Sequence, residues 1–161
     1  MEEEMRLHRC CFTGHRPEKL RRPQHEIWFD LECEIRKAIY DGLNVFISGM
    51  ARGIDIEAAE IVLRLRTDGY PVRLICISPY LGFERSWSQS WQTRYWAVMD
   101  AADLVRYIGP RYCMECFQIR NEWMVNHSSR VIAVYNGKPG GTKNTIDYAE
   151  RQGIPVNKIK G

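Results

Sequence analysis

Three short segments combine glycine with hydroxyl, amide or basic side chains, the residue types that grip an anion. They are Thr13-Gly14-His15-Arg16-Pro17, Ser48-Gly49-Met50-Ala51-Arg52-Gly53-Ile54-Asp55 and Asn136-Gly137-Lys138-Pro139-Gly140-Gly141-Thr142. Glycine lets backbone N–H groups approach a phosphate with no Cβ in the way. A loop that opens directly into a helix also aims unpaired N–H groups and the positive end of the helix dipole at that phosphate. Ser48 and Thr142 add hydroxyl donors. Arg16, Arg52 and Lys138 add charge, arginine with a bidentate grip. Neither standard phosphate motif is present, since Gly49 and Gly53 do not make GxGxxG and no GK[ST] closes a triphosphate loop. Any one segment alone reads equally as an ordinary strand-to-helix turn; three in register on one sheet edge point to a ligand site.

Other polar residues join these loops. His15 is the only histidine in them, placed beside Gly14 and Arg16, where ligand contact is favoured over acid–base work. Asp55 either faces the ligand or caps the helix that it begins. Arg120 and Asn121 interrupt an otherwise apolar helical stretch, so one of them projects toward the ligand mouth or both serve the helix itself. Cys113 and Cys116 form a single CxxC. No second CxxC or HxxxH completes four zinc ligands, so no metal site is expected; a redox pair is an alternative, but a thioredoxin-like context would place the motif after an early strand, so neither chemistry is the expectation. Cys10, Cys11, Cys33 and Cys76 read as small core residues of a reducing compartment.

The elements that must carry these loops alternate. Strands are expected at Arg9–Thr13, Asn44–Ser48, Val72–Ile77, Leu104–Ile108 and Val131–Tyr135, with a short edge strand at Val156–Ile159. Helical periodicity covers Gln24–Asp41, Asp55–Thr67, Met114–Ser128 and Thr145–Gln152. Between Pro79 and Asp100, Trp87, Trp91 and Tyr95 recur every four residues, so one helix would place them on one face, for core or dimer packing. Strands joined by helices of this length imply crossovers and a parallel sheet with helices on both faces. Ligands of such sheets bind beyond the carboxyl ends of the strands, at the switch in strand order.

Composition sets the bounds. The 161 residues, 45% of them hydrophobic, suit one domain spanning 1–161 with one sizeable core. The net charge of +3 permits an anionic ligand without indicating a nucleic-acid binder. No apolar run reaches the length of a membrane span, and the acidic start Met1-Glu2-Glu3-Glu4 is unlike a secretory signal. A cytoplasmic location is expected, with no membrane partner.

Taken together, the motifs resemble the SLOG superfamily, which joins the SMF/DprA and LOG proteins, and within it the YpsA/YoqJ-like branch. The matching pieces are the loops at Thr13–Pro17 and Ser48–Asp55 with Ala58-Ala59-Glu60, then Arg120-Asn121-Glu122-Trp123-Met124-Val125. Gly140-Gly141-Thr142 with Thr145-Ile146 and Tyr148-Ala149 completes the set. The resemblance implies an α/β, Rossmann-like three-layer sandwich with a mainly parallel central sheet. It also implies a nucleotide-derived ligand, ADP-ribose- or NAD-like, with no required cofactor. Carried over by motif, Gly14, Arg16, Gly49, Gly53, Asp55, Asn121, Gly140, Gly141 and Thr142 line the site. With their neighbours Thr13, His15, Ser48, Met50, Arg52 and Asn136 they form the expected ligand-binding set. One departure matters. LOG enzymes carry a glutamate soon after their PGGxGT loop, whereas Lys143-Asn144-Thr145 holds no acid. Without that carboxylate, N-glycosidic cleavage loses the stabiliser of its cationic transition state.

Three functions are compatible with this pattern. The first is binding or sensing of a nucleotide-derived ligand. The second is hydrolysis of a glycosidic or phosphate ester bond, with Asp55 or Glu60 as acid/base and His15 assisting. The third is single-stranded DNA binding as in DprA, along the basic run Arg16, Lys19, Arg21 and Arg22. If the aromatics from Trp87 to Trp96 are not closed within one chain, they make an apolar patch that favours a homodimer.

Overall fold

In the computed structural model, which describes residues 1–161, six strands form one sheet in the order β4-β3-β2-β1-β5-β6. The strands are β1 (Arg9–Gly14), β2 (Val45–Ser48), β3 (Arg73–Tyr80), β4 (Leu104–Gly109), β5 (Arg130–Tyr135) and β6 (Val156–Lys160). All five pairings are parallel. The helices are α1 (Glu2–Arg6), α2 (Gln24–Tyr40), α3 (Ile54–Thr67), α4 (Gln89–Ala101), α5 (Met114–Asn126) and α6 (Gly141–Arg151). The fold is thus α/β and Rossmann-like. No helix is long and apolar enough to cross a membrane.

Strand alternation divides the core between two faces. Cys10 and Phe12 of β1, Phe46 of β2 and Leu74 of β3 point to one face, under Leu31 and Ile35 of α2, Val62 and Leu65 of α3, and Tyr95 of α4. Cys11, Ile47, Ile77 and Val131 point to the other, under Met124 and Val125 of α5 and Ile146 and Ala149 of α6. Five of the six residues of β1 are buried, as a central strand covered on both sides requires.

Strand order fixes where a ligand can sit. The chain steps outward from β1 to β4, then returns across the sheet to β5 on the opposite side of β1. The connections after β1 and after β5 therefore leave toward opposite faces, and a crevice opens between them at the carboxyl edge. β1 and β5 run paired as far as Gly14 opposite Val134, which brings the first and third glycine loops side by side.

Several boundaries differ from the expectation. β3 continues through Pro79 to Tyr80; its ladder to β4 skips Pro79, which has no N–H, and resumes at Tyr80 opposite Gly109. α6 begins at Gly141 rather than Thr145, so Gly141 and Thr142 belong to its first turn. Trp87 precedes α4, whose first turn is capped by the Ser88 hydroxyl accepting from the Trp91 N–H. Trp87 therefore shares a cluster with Tyr95, at 5.6 Å between ring centres, without sharing its helix. Cys33 is exposed rather than core, because Leu31 and Ile35 take the inward face of α2.

Candidate functional site

A cavity of about 460 Å³ occupies the crevice between β1 and β5. Thr13, Gly14, His15 and Arg16 supply one wall, and Gly140, Gly141 and Thr142 at the start of α6 supply the opposite one. Phe117, Arg120, Asn121 and Met124 of α5 close a third side, with Ala51 and Asp55 at the base and Glu18 and Lys19 at the rim. Nine of the fifteen sequence-derived site residues thus meet in one cavity: Thr13, Gly14, His15, Arg16, Asp55, Asn121, Gly140, Gly141 and Thr142.

The middle loop is arranged differently from the other two. Ser48 is fully buried; its hydroxyl donates to the Asp55 carbonyl at 2.8 Å and accepts from the Met50 N–H at 3.2 Å. It staples the loop and offers nothing to a ligand. Met50 sits at φ 63° and is fully buried, a strained backbone held by those bonds. Gly49 permits a close approach. A Cβ there would stand 3.1 Å from both Arg120 Nε and Asp55 Oδ2. Gly53, also outside the lining, packs on Pro17. Arg52 turns away from the cavity and pairs with Glu18 through two bonds, of 2.8 and 2.6 Å. That pair ties the middle loop to the first one. Arg52 also holds the Glu18 carboxyl well below its ordinary range, at about 2, and offsets a charge that would repel an anion at the rim. Asn136 lies in an adjoining hollow, where its amide donates to the Lys19 carbonyl and accepts from the Lys138 N–H.

Arg120 completes the base. Its guanidinium donates to the Gly49 carbonyl at 2.8 Å and twice to Asn121 Oδ1, at 3.1 and 3.0 Å. Burial lowers its pKa while the nearby Asp55 raises it. Asp55 is buried, and one carboxylate oxygen accepts from the Ala51 N–H at 3.2 Å. Burial raises its pKa, opposed by Arg120, by the Ala51 bond and by Arg16. The other oxygen, Oδ1, has no partner, and neither has His15 Nε2. The His15 ring lies on Tyr135 with centroids 5.6 Å apart. Burial, then Lys19, lowers its pKa, which favours the neutral ring. A buried polar atom without a partner costs about 1–3 kcal/mol. Both residues line the same cavity.

Sequence reasoning did not find Phe117, Met124, Ala51, Glu18 or Lys19 as lining residues. Phe117, Asn121 and Met124 do share one helical stripe, and that stripe faces the cavity as well as the core. Glu60 lies outside the site: Arg94 holds its carboxylate, so it is not an acid/base for a ligand here. No cluster of three metal-ligating side chains occurs.

A model of the YspA SLOG family matches residues 10–159. The chain belongs to the YspA SLOG family. Within reach of this SLOG family, a UPF0398 protein of Bacillus cereus (strain B4264) is 30% identical over 135 residues, covering 76% of this chain and 72% of the relative. Another, from Shouchella clausii (strain KSM-K16), is 28% identical over 150 residues, covering 88% and 80%. Two solved structures share the fold. DNA processing protein A from Helicobacter pylori gives a TM-score of 0.68 at 18% identity, covering 99% of this chain and 68% of that one. DprA from Streptococcus pneumoniae gives 0.70 at 19%, covering 98% of this chain, which spans about half (52%) of the streptococcal protein.

Proposed function

We propose that this SLOG-family chain binds or senses a nucleotide-derived small molecule, of ADP-ribose or NAD type, in the cavity between β1 and β5. The observation that carries the reading is the pairing of a helix N-terminus with two partnerless buried atoms across one cavity. The first turn of α6 offers N–H donors from Gly141 and Thr142 to a phosphate, and Arg16 and Lys19, which make no ion pair within the chain, add charge from the facing wall. Asp55 Oδ1 accepts a hydroxyl such as that of a ribose, and His15 Nε2 takes a further polar group. Phe117 supplies an apolar surface. A volume of about 460 Å³ lies within the range of small-molecule pockets.

Native mass spectrometry of the purified chain tests this reading. Expected is an adduct of nucleotide mass that is absent from the Gly140→Asp variant; the same adduct on both proteins counts against the placement. Incubation with ADP-ribose, NAD and nucleoside monophosphates is expected to leave them intact by chromatography. Asp55 is the only lining carboxylate with a free oxygen, and the glutamate that LOG enzymes carry after their PGGxGT loop has no counterpart in Lys143-Asn144-Thr145. New product peaks favour the hydrolase reading.

The Helicobacter pylori neighbour is described by its single-stranded DNA binding mode. That supports single-stranded DNA as a second reading. The adjoining hollow, lined by Lys19, Arg21 and Lys138 among others, extends the basic wall. Arg22 is taken by Glu26 and Asp30, which shortens the run that the sequence suggests. A salt titration with an oligonucleotide separates the readings, because neutralising several phosphates gives a steep salt slope.

The reading also keeps a cytoplasmic homodimer joined through the α4 aromatics. Tyr95 is fully buried and Trp96 is 43% exposed, so Trp96 is the anchor available to a second copy. A single-chain mass by light scattering contradicts it.

A further inference from the structure

Cys113 and Cys116 stand outside the cavity, and the binding reading does not use them. They form a disulfide at the turn from β4 into α5. Cys113 precedes the helix in extended conformation and makes no capping hydrogen bond to its first N–H groups. Cys116 is buried, with its sulfur against Gly109, where a Cβ would come within 2.9 Å of it. Cys113 is half-buried. Cys113 is therefore the more accessible of the two residues, and Cys116 is shielded by the end of β4. The remaining thiols do not share this position. Cys10, Cys11 and Cys76 are buried, and burial pushes Cys11 and Cys76 up to about 12. Cys33 is exposed on α2, without a partner sulfur.

We propose that Cys113 and Cys116 are a thiol–disulfide exchange site, and that its state sets the order of the first turn of α5. In reduction, one thiolate of an external dithiol attacks Cys113 Sγ. The bond to Cys116 breaks, and Cys116 Sγ takes the electron pair and then a proton. The second thiolate of the dithiol attacks its own sulfur in the mixed disulfide and displaces Cys113 as a thiolate. Two electrons have moved to the pair, and the dithiol has become a disulfide. The released Cys113 thiolate sits at the N-terminus of α5, where unpaired N–H groups and the helix dipole stabilise it and so favour the reduced form.

Opening the bond reaches the cavity through one residue. Phe117 follows Cys116 directly, lines the cavity, and packs on Phe83 at 5.7 Å and Tyr80 at 5.9 Å between ring centres. Without the cross-link, the first turn keeps the Cys116 N–H to Cys113 carbonyl bond, at 3.3 Å, as its tie to the preceding residue.

The inference goes beyond the binding reading and does not rest on it, so its test needs no nucleotide. The full chain, carrying Cys33→Ser to remove the exposed free thiol, is equilibrated in buffers of graded reduced-to-oxidised dithiothreitol ratio, acid-quenched and alkylated. Mass analysis of the peptide holding both cysteines is expected to show a reversible two-thiol change in the folded protein. Amides 114–121 are expected to exchange about threefold faster in the reduced form. Cys113→Ser is expected to exchange like the reduced form in every buffer. A pair that does not respond to the buffers while the protein stays folded overturns the proposal. So do amides that exchange alike in both states.

Discussion

Burial disfavours the charged forms of both Asp55 and His15 and so shifts their pKa values in opposite directions, and each gives a test at the scale of one side chain. Burial raises the Asp55 carboxyl, so its ionised form disfavours the folded state above that raised pKa. Asp55→Asn removes the charge and keeps an oxygen for the Ala51 N–H. The variant is expected to unfold at the same or a higher urea concentration at pH 7 while binding ADP-ribose more weakly; lost stability with unchanged binding would make Asp55 a structural residue only. His15 has a lowered pKa, so the unfolded chain takes its proton first. Its contribution is fully present above the ordinary value of 6.5 and is lost as pH falls below it. His15→Gln is expected to flatten the fall in stability between about pH 7 and 5, measured by urea unfolding at each pH. An unchanged slope would mean that His15 is as free to titrate folded as unfolded. His15 was legible in the sequence because it follows Gly14 at the end of β1, and Asp55 because it closes the segment from Ser48 to Asp55 that holds Gly49 and Gly53. The link from Arg120 to the Gly49 carbonyl was not, since it joins residues 71 apart. Sequence marked Arg120-Asn121 as polar within an apolar helix but could not tell which way each pointed.

At the scale of elements, the site depends on two close approaches. Gly14 ends β1 against the start of α3, where a Cβ would lie 2.5 Å from Ile54 Cβ. Gly14→Ala is expected to cost about 1–3 kcal/mol in urea unfolding, because the packed helix must shift. A loss below that range would show that α3 moves freely. Arg120→Met removes a buried charge but strands the Gly49 carbonyl. It is expected to weaken ligand binding through disorder of the middle loop. Proteolysis within 49–53, faster than in the unaltered chain, would report that disorder, and an unaltered digest would contradict it. The alternation of strands and helices was readable because apolar periodicity changes between them. The start of α6 was not, because Gly141-Thr142-Lys143-Asn144 lacks apolar spacing and its helix is drawn back by the packing of Ile146 and Ala149 on β5 and its neighbours. Those four residues decide whether Thr142 belongs to a loop or presents a helix N-terminus.

For the whole molecule, sheet order converts scattered loops into a site. The sequence carries no direct record that β5 returns beside β1. It carries only the glycine segments that such a return would bring together, and the resemblance to the SLOG superfamily, which the family match bears out. The middle loop shows the limit of that reading: its glycines, serine and arginine serve the frame, and Asp55 alone of its predicted residues reaches the cavity. The proposed nucleotide site lies between β1 and β5. Calorimetric titration of ADP-ribose into the unaltered chain, Arg16→Ala and Gly140→Asp tests it most directly. Saturable binding that weakens more than about tenfold in both variants, or about 1.4 kcal/mol, is the expected result. Binding of equal strength in all three, or none to the unaltered chain, would contradict it.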